Sequence, residues 1–341
     1  MNIRSLLTVL PFVLLGCAEE ADVTLYVALD EEHSKQIVRR FEEETGLTVN
    51  ARFDAEAQKT VGLVNAIRQE AENPRCDVFW NNELAHTVAL GQLGLLEPYE
   101  SSSAAGIPAQ YRSAENTWTG FASRARVLIV NTEALPDRGE WPTSVEDFTD
   151  PKWRGKCAVA RPLTGTTLTH FTALRERLGE ARFEEWVQGM IDNDVQFLQS
   201  NGATMRSTAD SSNEIVFALT DTDDFHVALS KGLPVSCVFP DQGEGQMGTM
   251  LIPNSIALIK GGPNAENAKR LIDFVLSEQV EGLLAAAKSA QIPLRASVTP
   301  PPSEQILKIG SFRQMEWDPE ATASALADRI GEFQDRFSGS R

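Results

Sequence analysis

The sequence predicts an α/β fold of two lobes, each a mostly parallel sheet flanked by helices. Three observations carry this. Short β-branched and aromatic runs alternate with amphipathic runs at helical spacing along most of the chain. The 341 residues, 42% apolar and 23% charged, suffice for two cores. Polar loops recur just after the predicted strands, where open α/β sheets bind ligands.

In order, "VTLYVA" at 23–28 reads as a strand. Residues 34–46 put Ile37, Val38 and Phe41 on one helical face and stop at Gly46. "LTVNARF" is a second strand, and the run from Thr60 carries Leu63, Val64, Ile67 and Ala71 at helical spacing. "CDVFW" at 76–80 is a third strand, followed by a helix from Leu84 to Gly94. This β-α-β-α-β-α order implies parallel pairing. The second set comprises strands at 126–131, 157–160, 195–199 and 214–220, with helices after 164, around "RFEEWVQGMI" and from Phe225 to Lys231. "TMLIPNSIALI" reads as one long strand able to pass between lobes. Two helices, a proline run at 300–302 and a last helix near 320–336 close the chain.

The N-terminus precedes the fold. Arg4 is followed by a short apolar run, Leu6 to Leu15, too short to span a bilayer, and then by "LLGC". This resembles a bacterial lipobox. It implies a signal peptide over 1–17 and a lipid on Cys17 that anchors an exported domain to a bacterial membrane. The net charge of −17 argues against nucleic acid as a partner. Cys157 and Cys237 lie in strand-like runs, so either a disulfide or two buried thiols fits.

Five polar loops share the strand-end position: Asp30, Asn81–Glu83, Thr164–Thr167, Ser200–Asn201 and the aspartates 221, 223 and 224. Together they suggest one cleft between two lobes. In "PLTGTTLTH", Gly165 permits a tight turn and Thr164, Thr166 and Thr167 open a helix. Its free amides suit an anion, or Thr164 caps the helix itself. "DTDD" supplies an N-cap in Asp221 or Thr222 and first-turn acids in Asp223 and Asp224. One cap does not need three acids, so the surplus suits a hard cation or ligand hydroxyls and amines. Of Arg124 and Arg126, one is expected to face the cleft. "GEGQMG" matches GxGxxG but precedes a strand, so no dinucleotide site is expected. No GxSxG elbow or other nucleophile–base set is legible, though a hydrolase using paired carboxylates stays open.

The segments "CDVFWNNE", "SRARVLIVN", "DFTDPKWRGKCAVARPLTGTT", "FLQSNGA", "LTDTDD" and "FPDQGEGQMGTMLIPNSIALIKGGPN" occur in an order that resembles the periplasmic substrate-binding proteins of ferric-iron-type ABC transporters, over about residues 23–300. The resemblance implies a periplasmic-binding-protein-like fold whose lobes are joined by crossing strands. It implies a non-catalytic monomer that closes over a small ligand and delivers it to a permease and its ATPase. The implied lobes are 23–123 plus 250–300, and 124–249 plus 301–341. Ferric members place a His, a Glu and two adjacent tyrosines where this chain has Asp30, Asn82 with Glu83, and Asp223–Asp224–Phe225. The family's anion turn is better kept, in Thr164–Thr167 and in "SNGA" with Asn201. No cofactor is implied beyond a transported metal ion, iron(III) being the candidate. Two ligand readings follow. Asp30, Glu83, Asp223 and Asp224 hold a cation, with a synergistic anion on the threonine turn; or a phosphorylated or phosphonate-like molecule binds without metal.

Overall fold

The computed structural model describes residues 21–29, 31–53, 60–299 and 310–337. Cys17 and the signal segment lie outside them. Among the described residues no helix is long and apolar enough to cross a membrane.

The chain opens as β1 (Val23–Val27), α1 (Glu31–Thr45), β2 (Val49–Phe53), α2 (Val61–Gln69), β3 (Val78–Asn81) and α3 (Ala85–Gln92). β1 pairs in parallel with both β2 and β3, as the alternating order requires. A short β4 (Leu96–Glu97) leads to β5 (Thr119–Asn131), whose thirteen residues are all buried. The second set is β6 (Cys157–Ala160), α4 (Gly165–Leu178), α5 (Glu180–Asp192), β7 (Gln196–Leu198), α6 (Asn201–Ala209), β8 (Phe217–Asp221), α7 (Thr222–Ser230) and β9 (Val235–Val238). The chain returns through β10 (Leu251–Ile259), α8 (Ala265–Val275), α9 (Glu278–Ala286) and α10 (Pro319–Phe337). The strand order is β2-β1-β3-β10-β5-β8-β6-β7.

The crossing strand is β5. Its first half pairs with β10, and its second half pairs with β8 and β9. The run 249–259, also expected to pass between lobes, pairs as β10 within the first sheet, with β3, β4 and β5, while Met250 and Ile252 at its start pack in the cluster of Phe171 and Trp186. Separate apolar clusters fill the two sides, one around Val27, Phe41 and Leu271 and one around Phe171, Phe183 and Trp186. α10 bridges the sides: Ala323 packs with a further cluster around Tyr26 and Phe79, while Leu326, Phe333 and Phe337 enter the Phe171 cluster.

A buried ion pair fixes the α9 end of the first lobe. Arg295 Nη1 lies 3.0 Å from Glu281 Oε2, and both side chains are buried. Glu281 Oε1 also accepts from the amides of Ala122 and Leu294. Removing the carboxylate would strand a guanidinium and two amides together. Glu281→Ala is therefore expected to cost about 3–5 kcal/mol in urea unfolding.

Cys76, Cys157 and Cys237 are all free thiols, the first two buried and Cys237 half-buried, so the two central cysteines are not paired. Burial pushes Cys157 and Cys237 each up to about 12, and Cys76 well above its ordinary value. At pH 8 only about one thiol in ten thousand would be thiolate at such a pKa. All three should resist iodoacetamide in the native protein and react on unfolding, as mass spectrometry would count.

Candidate functional site

The site is built around Arg126. β5 meets β8 antiparallel with Arg126 opposite Asp221. Positions 124 and 126 share one face of the strand, so both arginines turn the same way, against the expectation that only one would. Arg126 is 0% exposed. Its Nη1 lies 2.7 Å from Asp221 Oδ1 and donates to Thr166 Oγ1. Its Nη2 donates to Thr167 Oγ1 and its Nε to His170 Nδ1. Arg124 follows the same pattern one step along, with Nε 3.4 Å from Asp223 Oδ2 and Nη2 donating to Asn254 Oδ1. R-A-R on β5 thus faces D-T-D at the β8–α7 junction, as cross-strand charge pairs do.

Asp221 is an inward hub. Thr166 Oγ1 and Asn201 Nδ2 both reach its Oδ2, at 2.6 and 2.9 Å. Asn201 Nδ2 also donates to Thr166, and Thr167 donates to Asn201 Oδ1. The structure therefore brings Thr166, Thr167, Asn201 and Asp221 together around one guanidinium. Asp221 stands at the N-cap position of α7 but makes no capping bond, because Arg126 draws its carboxylate inward. Thr222 Oγ1 instead accepts from the Ala125 amide. Gly232, at φ +70°, lies just past the end of α7.

Thr164 occupies the N-cap position of α4, and its side chain makes no capping bond either. It is exposed, and Gly165 beside it takes φ +60°. The first turn of α4 thus presents backbone amides that its own cap does not cover. α6 begins beside it, capped by Ser200 through the Ala203 amide.

Asp223 and Asp224 occupy the first turn of α7 and are half-buried. Asp224 Oδ2 accepts from Thr220 Oγ1 at 3.0 Å. Asp221, Asp223 and Asp224 each offer an oxygen within 4.8 Å of the others. Glu83 is not part of this group. It is fully buried and accepts from Asn81 Nδ2, from the amides of Ala85 and His86, and from Thr169 Oγ1 of α4. It caps α3 and ties that helix to α4, so its lone pairs are spent on structure. Asn82 is half-buried and accepts from Thr60. Asp30 lies outside the described residues.

Burial and the Arg126 charge hold the His170 imidazole well below its ordinary range, and burial lowers His226 to about 4. Both are neutral when folded and gain protons on unfolding below about pH 6.5. The unfolded chain then binds more protons, so stability falls as pH drops. Urea midpoints at pH 7 and pH 5 should show this, and His226→Phe should flatten the slope.

No tyrosine reaches the site. Tyr26 donates to Glu70, Tyr99 to Asp273 and Tyr111 to Gln314. Burial raises all three, Tyr99 to about 12, so each stays a phenol.

The profile of the bacterial extracellular solute-binding proteins matches residues 87–319. The chain belongs to this family. "Iron uptake protein A1" of Synechocystis is 26% identical over 320 residues, covering 91% of this chain and 85% of its own length. Among solved structures, iron-bound HitA from Pseudomonas aeruginosa superposes with a TM-score of 0.80 at 22% identity, covering 91% and 98% of the two chains. AfuA from Actinobacillus pleuropneumoniae, solved with fructose-6-phosphate bound, gives 0.77 at 22% identity, covering 93% and 98%. These structures share the two-lobe periplasmic binding fold with this solute-binding protein. Their ligands differ.

Proposed function

We propose that this chain is the solute-binding component of an ABC importer and captures a small phosphorylated molecule without metal. The ligand class is a phosphate or phosphonate monoester carrying free hydroxyl or amine groups. The carrying observation is that two arginines already stand on the aspartate cluster. Asp221 is paired with Arg126 and Asp223 with Arg124. A ferric ion seated there would meet two guanidiniums, each opposing it by roughly 4 kcal/mol per unit of its charge at 4 Å and an effective dielectric of 20. The phenolates that would offset this are absent from the segment.

An oxyanion would sit away from those pairs. The uncapped first turn of α4 at Thr164–Thr167 offers backbone amides and the exposed Thr164 hydroxyl under a favourable dipole. Asn201, Asp223 and Asp224, with Asn82 from the facing lobe, then accept or share hydrogen bonds with the ligand's polar groups, and Asp30 is proposed to join them. Hinge closure about β5 brings lobes 23–123 plus 250–300 and 124–249 plus 301–341 together. The protein acts as a monomer held by a lipid on Cys17 and hands its ligand to the permease without chemical change.

A hard cation is the second reading, favoured by the three close aspartate oxygens. Calorimetric titration separates the two. Fructose-6-phosphate should bind and ferric citrate should not, and no inorganic phosphate should be released. Turnover of the ester, abolished in Asp223→Asn, would indicate a carboxylate-dependent hydrolase instead.

A further inference from the structure

We propose that Asn254 and Gln291 are positioning residues that hold Arg124 against Asp223, and so set how strongly the cleft accepts a ligand's hydroxyl protons. The inference rests on the phosphorylated-ligand reading above. Arg124 stands on the crossing strand between two lobes. On one side Asp223 belongs to the β8–α7 junction. On the other, Asn254 sits at the irregularity where β10 shifts register against β5, between Pro253 and Asn254.

The Asn254 amide has one workable orientation. Its Nδ2 donates to the carbonyls of Phe121 and Ala122 and to Gln291 Oε1 at 2.7 Å. A flipped amide would set oxygen against three oxygens. Oδ1 is thereby aimed at Arg124 Nη2. Gln291 is held in turn by the neighbouring bridge, in which Ser123 and Ile292 exchange both backbone hydrogen bonds. The result is a continuous chain, Gln291–Asn254–Arg124–Asp223, from the loop after α9 to the aspartate cluster.

Backbone strain marks both sides of this bridge. Ala122 and Ala290 both take left-handed backbone, at φ +32° and +44°, where alanine is disfavoured. Such strain persists only where surrounding contacts impose it. Gln291 and Ser289 beside it are buried, 1% and 2% exposed. Strained alanines on both sides of the Ser123–Ile292 bridge mark a contact held for placement.

The test has two arms on the full chain. The first is ligand-free thermal unfolding of the wild type, Asn254→Ala, Asp223→Ala and the double variant. If Asn254 acts through Arg124 on Asp223, each single variant breaks the same link, and the double loses less than the two losses combined. Additive losses overturn the proposal. Should Asn254→Ala not fold, Gln291→Leu takes its place in the cycle. The second arm measures affinity for fructose-6-phosphate and inorganic phosphate in the wild type and Gln291→Leu. The preference for the sugar ester should fall about three-fold or more, with phosphate affinity held within about two-fold. An unchanged preference overturns the proposal. Non-additive unfolding in a protein that binds neither probe would leave the relay standing and sink the phosphorylated-ligand reading instead.

Discussion

Arg126→Met is expected to abolish ligand binding and to cost about 3–5 kcal/mol of folding stability. The guanidinium donates to Asp221, Thr166, Thr167 and His170 and has no access to solvent. Methionine fills much of the volume but none of the charge. Asp221 would keep its bonds from Thr166 and Asn201 while losing its only ion pair among the described residues, a buried carboxylate without compensation. The N-termini of α4 and α6 are tied through the same four side chains, so the turn proposed to hold the anion loses its post. The double variant Arg126→Met/Asp221→Leu separates the two effects. Replacing a whole buried pair by apolar groups is often neutral or stabilising, so stability should largely return while binding stays lost. Urea unfolding and calorimetry on the same preparations read both. If the double variant recovers binding along with stability, Arg126 serves the fold alone. Lysine is not a substitute, because one ammonium does not reproduce the planar fork that spans Asp221 and both threonines.

Asp223→Asn is expected to weaken fructose-6-phosphate binding by a factor of roughly 10 to 150, the equivalent of a charged hydrogen bond worth about 1.5–3 kcal/mol. Asp223 is the more open partner of its ion pair, 22% exposed against 3% for Arg124. That exposure lets it serve Arg124 and a ligand hydroxyl together. Asparagine keeps the size and an acceptor oxygen but halves the acceptor capacity and removes the charge. Stability should change by less than about 1 kcal/mol, since a partly exposed pair is worth little to the fold. Inorganic phosphate, proposed to sit at α4, should lose far less affinity than the sugar ester. Equal losses for both ligands would place Asp223 near the anion and not at the protic end.

The fold was largely legible because its apolar periodicities are clear. The β-α-β-α-β-α opening and the long buried strands follow from Leu63, Val64 and Ile67 or from "VLIV" without tertiary information. α6 was not legible as a helix. It buries Thr204, Met205 and Thr208, and two inward threonines erase the apolar stripe that would announce it.

Within the site, Thr166, Thr167, Asn201 and Asp221 could be found from strand-end position alone. Arg124 and Arg126 were candidates too, but which carboxylate each would meet was not readable. The matching spacing of Arg124 and Arg126 with Asp221 and Asp223 held that information, and only strand register releases it. Glu83 shows that a carboxylate after a strand is also a helix cap.

The most direct test of the central claim is native mass spectrometry of the purified protein offered equimolar ferric citrate and fructose-6-phosphate. The two arginines on the aspartate cluster predict one adduct at the mass of the sugar phosphate and no iron in parallel metal analysis. A stoichiometric iron adduct that the ester fails to displace would contradict it.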